Sequence, residues 1–142
     1  MIHFFNEDIL FKPKQPRLIK AWLKAAAETE GFKLNQLNCI FCSDEYLLGV
    51  NRQYLNHDFY TDIITFDNGE FEKEIEGDVF ISIDRVRENA ATFHKSFEEE
   101  LMRVLVHGLL HLAGYGDKSE EEKKTMREKE DFYTNLLPIS QT

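Results

Sequence analysis

Two histidines four residues apart, His107 and His111, followed by Gly114 and Asp117, are the part of this sequence best equipped for chemistry. Their spacing is that of an extended zinc-site pattern, H-x-x-x-H-x-x-G-x-x-H, with aspartate in the third ligand place. Helical positions four apart share a face, so both imidazoles can aim a lone pair at one point. Glycine at 114 can take a left-handed conformation, end the helix and return the chain towards the histidine face. Three protein ligands leave a position open, which suits a catalytic metal site better than a closed structural one. Where H-E-x-x-H proteases carry their general base, this chain has Gly108, so a standard metalloprotease mechanism is disfavoured. Glycine within a helix costs up to about 1 kcal/mol. It implies room here for a substrate, a water or a neighbouring strand, or a close helix crossing.

The elements that must position these residues follow from periodicity and punctuation. Ile2 to Phe5 reads as a short strand, and Pro16 to Glu30 as an amphipathic helix begun by Pro16 and stopped by Gly31. A strand over Leu37–Cys42, a helix over Asp44–Tyr54 and a β-branched strand, Ile63 to Phe66, come next. The acidic stretch Asp67 to Glu76, with Asn68-Gly69, reads as a turn before a strand from Gly77 to Ile83. Helices then run over Asp84–Phe93, from a capping box at Ser96 to Leu112, and from a second capping box at Ser119 to about Asn135. The order β α β α β β α α α predicts an α+β fold: a small four-stranded mixed sheet with about five helices. The histidine helix is apolar on nearly every side and is expected to be the buried central one. Opposite charges alternate at i, i+4 on the last helix, which reads as a solvated face without functional weight.

A length of 142 residues fits one domain, taken as residues 1–142, and 42% hydrophobic residues with 12 Phe suffice for a core without disulfides. No apolar run reaches the roughly 18–20 residues of a membrane span, and no secretory signal is visible, so the expected compartment is the cytoplasm. Cys39 and Cys42 form a C-x-x-C, but on a strand the two side chains point to opposite faces, and a second pair for a zinc ribbon is missing. They read as buried small hydrophobes, with a redox dithiol as the alternative.

Acids outnumber bases by 26 to 17, a net charge of −9 that argues against a polybasic nucleic-acid or membrane binder. That acidity is concentrated. Asp67 to Asp78 holds six acids and one lysine, whereas residues 1–30 carry five bases and four acids. Lys12, Lys14, Arg17, Lys20 and Lys24 could face RNA if the fold gathers them near the metal.

The stretch His107-Gly-Leu-Leu-His111-Leu-Ala-Gly114-Tyr-Gly-Asp117 resembles the signature H-G-x-L-H-L-x-G-Y-D-H of the YbeY family of metal-dependent endoribonucleases. Thr61-Asp62-Ile63-Ile64-Thr65-Phe66 is similar to the family's P-T-D-V-L-S-F, and Gly77-Asp78-Val79-Phe80-Ile81-Ser82 to its G-D-I-x-I-S. The resemblance implies a metal held by His107, His111 and Asp117, and single-strand-specific cleavage of RNA. It also implies a role in 3′ maturation of small-subunit rRNA and in ribosome quality control. Ribosomal proteins or a ribosome-associated GTPase are the partners expected, and no membrane.

Two departures bear on that expectation. The family's third histidine is Asp117 here, which lowers the formal charge of a zinc site from +2 to +1. Zinc stays the first choice of ion, and Mn²⁺ or Fe²⁺ become alternatives. The arginine that usually follows the tyrosine of N-x-x-Y-R is Leu55, so a phosphate contact is missing or falls to Arg52 or His57.

The chemistry expected is metal-assisted phosphodiester hydrolysis, with water or the neighbouring 2′-hydroxyl as nucleophile. Glu100 is a candidate general base or a support for a ligand. Arg103 is a candidate for stabilising phosphate charge or for an ion pair with Glu99 or Glu100. Tyr115 is expected to pack, and Thr61-Asp62 to order a loop. Two other classes stand beside the nuclease. One is a non-catalytic ribosome-biogenesis factor stabilised by its metal. The other is a different metalloenzyme using two histidines and one carboxylate, as non-haem iron oxygenases do.

Overall fold

Alternation of inward and outward side chains organises the molecule around one sheet. In the computed structural model, which describes residues 1–137, the strands are β1 (Ile2–Asn6), β2 (Lys33–Cys42), β3 (Ile63–Asp67) and β4 (Glu74–Ser82). The helices among the described residues are α1 (Pro16–Thr29), α2 (Asp44–Leu55), α3 (Ile83–Thr92), α4 (Phe97–Leu112) and α5 (Glu120–Thr134). The sheet order is β1-β2-β4-β3, with β1, β2 and β4 parallel and β3 antiparallel to β4. The expected α+β class, four-stranded mixed sheet and five helices are therefore observed. Residues 138–142 of the expected single domain lie outside the described residues.

Two strands begin earlier than expected. β2 starts at Lys33 and β4 at Glu74, because Lys33, Leu34 and Gln36 pair with Glu74, Ile75 and Glu76. The last three residues of the supposed acidic turn, Glu74 to Glu76, are thus strand. Its Glu-Ile-Glu alternation, with Ile75 buried between two acids, carried that signal.

The sheet separates two cores. On one face Cys39, Phe41, Val79 and Ile81 meet the apolar sides of α1, α3, α4 and α5; on the other Cys42, Ile64, Phe66 and Phe80 meet α2. The two cysteines do point to opposite faces. Burial pushes both thiols up to about 12, which disposes of a redox dithiol.

Helix α4 lies within the larger core, with Leu101, Leu105, Leu109 and Leu110 almost wholly inaccessible. Both capping boxes, at Ser96 and Ser119, are formed. At Gly108 a β-carbon would stand 2.9 Å from Cδ1 of Ile63 and 3.1 Å from Cγ1 of Val79. Of the readings open for this glycine, the structure shows the neighbouring strands: α4 rests its backbone on β3 and β4 there.

Candidate metal centre

His107 and His111 project from consecutive turns of α4 with their rings near-perpendicular, 4.6 Å apart. Gly114, at φ 102°, turns the chain back as expected. Asp117 Oδ2 then stands 3.4 Å from Nε2 of His107 and 3.4 Å from Nε2 of His111. One ligand atom from each of the three lies within 4.8 Å of the others.

Those separations fit a metal. Atoms bonded to one tetrahedral ion at about 2.0–2.1 Å stand about 3.4 Å apart. The protonation pattern also fits. Nδ1 of His107 is 2.6 Å from Oε2 of Glu130, a carboxylate able only to accept, so Nδ1 carries the proton. With Nδ1 turned to Glu130, Nε2 is the ring atom that faces the oxygen of Asp117 and can serve as a ligand.

Behind the histidines lies a buried ionic network. Arg103 forks onto Glu100, with Nε 3.0 Å from Oε1 and Nη2 2.6 Å from Oε2, and its Nη1 donates to Oε1 of Glu130 at 3.1 Å. Asp62 is 3.8 Å from the same guanidinium. Burial disfavours charge on Arg103, but the bonds to Glu100 and the field of Glu130 outweigh it and hold its pKa above the usual arginine range. Burial likewise opposes ionisation of Glu130; His107 and Arg103 overcome it and hold the carboxyl below its usual range. For Asp62 burial prevails and raises the pKa despite Arg103 and His107.

The sequence-predicted residues are therefore brought together, though with sharper roles. Of the two readings of Arg103, the ion pair with Glu100 is formed. Glu100 is 0% exposed and bonded by Arg103 through both oxygens. Tyr115 packs on the core as expected, and its hydroxyl donates to Glu30. His57 stacks on Phe59 in the loop before β3, and Arg52 is paired with Asp58.

The reading of α5 as a face without functional weight is overturned. Met126, Glu130 and Tyr133 form its buried side, and Glu130 is the partner of His107. Steps of four and three between those residues were the available signal.

A buried helix carrying two histidines, answered by a carboxylate from a glycine turn and packed on an open mixed sheet, defines an α+β domain with a His-His-carboxylate centre. The chain belongs to the YbeY endoribonuclease family: the family model described as Endoribonuclease YbeY matches residues 2–137. A Cytophaga hutchinsonii protein of that name is 56% identical over 135 residues, covering 95% of this chain and 94% of the relative. One from Parabacteroides distasonis is 50% identical over 137 residues, covering 96% of each. The solution structure of a Thermotoga maritima protein superposes with a TM-score of 0.67 at 31% identity, covering 95% of this chain and 87% of that one. No helix among the described residues is long and apolar enough to cross a membrane.

Proposed function

We propose that the chain, taken as one metallohydrolase domain over residues 1–142, is a metal-dependent endoribonuclease. It cleaves single-stranded RNA in the cytoplasm, during 3′ maturation of small-subunit rRNA and in ribosome quality control. The observation that carries this reading is the convergence of His107, His111 and Asp117 within 4.8 Å, in a chain that matches the YbeY family over residues 2–137. Substrate encounter relies on ribosomal proteins or a ribosome-associated GTPase, because a net charge of −9 disfavours tight unaided binding to RNA.

His107, His111 and Asp117 hold one divalent ion, zinc first, with Mn²⁺ or Fe²⁺ made competitive by the carboxylate. When bound, the ion supplies Lewis acidity, polarising a phosphoryl oxygen and making a water more acidic. The protein's part is to aim the ligands. Glu130 accepts a hydrogen bond from Nδ1–H of His107 and so directs its Nε2 into the site. Arg103 keeps positive charge beside Glu130 for a developing phosphate charge, and Glu100 holds that guanidinium in place. Wholly buried, Glu100 supports Arg103 and does not itself take up protons from substrate.

The test pairs metal analysis with cleavage. Wild-type protein is expected to hold one ion per chain and to cut single-stranded but not duplex RNA. Asp117→Ala is expected to lose cleavage while unfolding, with both proteins stripped of metal, at the wild-type temperature, since its side chain is 41% exposed. A metal-loaded wild type that leaves single-stranded RNA intact, with and without small ribosomal subunits, would sink the nuclease reading and favour a non-catalytic biogenesis factor.

A further inference from the structure

Asp117 is the one ligand that no regular element carries. It lies between the end of α4 at Leu112 and the start of α5 at Glu120, and it is the most exposed of the three. A carboxylate on a free loop would spend most of its time away from the histidines, and ordering it costs roughly 1–2 kcal/mol per residue of backbone. The structure shows how the turn is held on both sides of Asp117.

On the C-terminal side, Glu122 of α5 accepts from the backbone N–H groups of Lys118 and Ser119, at 3.2 and 3.0 Å. On the N-terminal side the hold is made by residues distant in sequence. The Tyr115 hydroxyl donates to Oε1 of Glu30 at 2.6 Å. Oε2 of Glu30 accepts from Nζ of Lys129 at 3.1 Å and from the hydroxyl of Tyr133. Glu30 is itself fixed: its backbone N–H donates to Ala26 at the end of α1, and its side chain is 8% exposed. The indole N–H of Trp22 joins the same two helices by donating to the Tyr133 carbonyl at 2.8 Å. Burial opposes ionisation of Glu30, and the three donors more than offset it.

We infer that Glu30 is a positioning residue for the metal centre: through Tyr115 it fixes the Gly114–Asp117 turn and so sets where the Asp117 carboxylate stands. Its anchors, Lys129 and Tyr133, flank Glu130, which orients His107. Helix α5 therefore braces both arms of the site, the histidine arm directly and the aspartate arm through Glu30. This inference rests on the metal-site reading above.

The test is metal affinity, read by competition with a chromophoric chelator well below the unfolding temperature, together with the visible spectrum of the Co²⁺-substituted protein. Tyr115→Phe deletes one oxygen, and Glu30→Gln keeps the shape while weakening the acceptor. Each is expected to weaken Zn²⁺ binding on the order of tenfold and to alter the Co²⁺ bands. The double variant is expected to be little worse than either alone, because both cut one link. Val86→Ala, in the core contributed by α3, is the control: it lowers the unfolding temperature and leaves affinity and spectrum unchanged. If Tyr115→Phe and Glu30→Gln lower only the unfolding temperature, the positioning role is overturned while the metal site stands. A wild type that takes up neither Zn²⁺ nor Co²⁺ overturns the site reading itself, and this inference with it.

Discussion

The two arms of the candidate metal centre are built by opposite means. His107 and His111 come from a helix packed into the larger core, so close packing along α4 fixes them before any ion arrives. Asp117 comes from a turn between two helices and is fixed by a handful of side-chain hydrogen bonds to Glu30 and Glu122. The first arm is written in local periodicity. The second depends on Glu30, eighty-five residues away from Tyr115. A ligand on a helix inherits its direction from the fold, whereas a ligand on a turn must be supplied with one.

The largest expected effect lies under the helical arm. Arg103→Leu leaves Glu100 and Glu130 buried without their cation, and loss of about 3–5 kcal/mol is expected in urea unfolding. A much smaller loss would show that the network contributes little to holding α4. Gly108→Val forces side-chain atoms into Ile63 and Val79, where even a β-carbon would be tight. A loss of about 1–3 kcal/mol is expected, with metal affinity falling as α4 is displaced.

Glu130→Gln tests the orientation of His107 and spares the core. Zn²⁺ affinity, measured by chelator competition well below the unfolding temperature, is expected to fall about 10–100-fold. Loss of the buried charge beside Arg103 also lowers the unfolding temperature, by less than Arg103→Leu does. The aspartate arm is sharpened by acid. The carboxyl of Glu30 sits below its ordinary 4.5, so its stabilisation is complete above that value and lost as pH falls through the depressed one. Glu30→Gln is therefore expected to be less stable than wild type at pH 7, on the order of 1 kcal/mol. The two stability curves should converge in acid. The smallest effect is a silence. With both thiols pushed up to about 12 by burial, Cys39 and Cys42 are expected to resist alkylation at pH 8 in native protein and to react once it is unfolded.

Much of this was legible in the sequence, and the boundary has physical causes. The order of the nine elements among the described residues follows from periodicity, capping boxes and prolines, and the His107–His111–Gly114–Asp117 spacing is a local property of one helix and its stop. The charge runs were less transparent. Glu74 and Glu76 looked like turn because they are acidic, although Ile75 between them is buried in a parallel ladder. Alternating signs hid the buried side of α5, where Glu130 is kept ionised by Arg103 and His107. A buried carboxylate is stable only beside partners from elsewhere in the chain, and those partners have no local signature. For the same reason Glu30 reads as an ordinary helix-end acid until the fold brings Tyr115, Lys129 and Tyr133 to it.

The bare surface at Gly108 has a rotational consequence. Each residue turns an α-helix by about 100°, so α4 rolled by one position would press His107 or Leu109 against Ile63 and Val79, where there is no room for either. Gly108 thus acts as the keyway of a shaft, admitting α4 to the sheet at one angle only. That angle is the bearing on which His107 and His111 point, set by the residue between them that has no side chain.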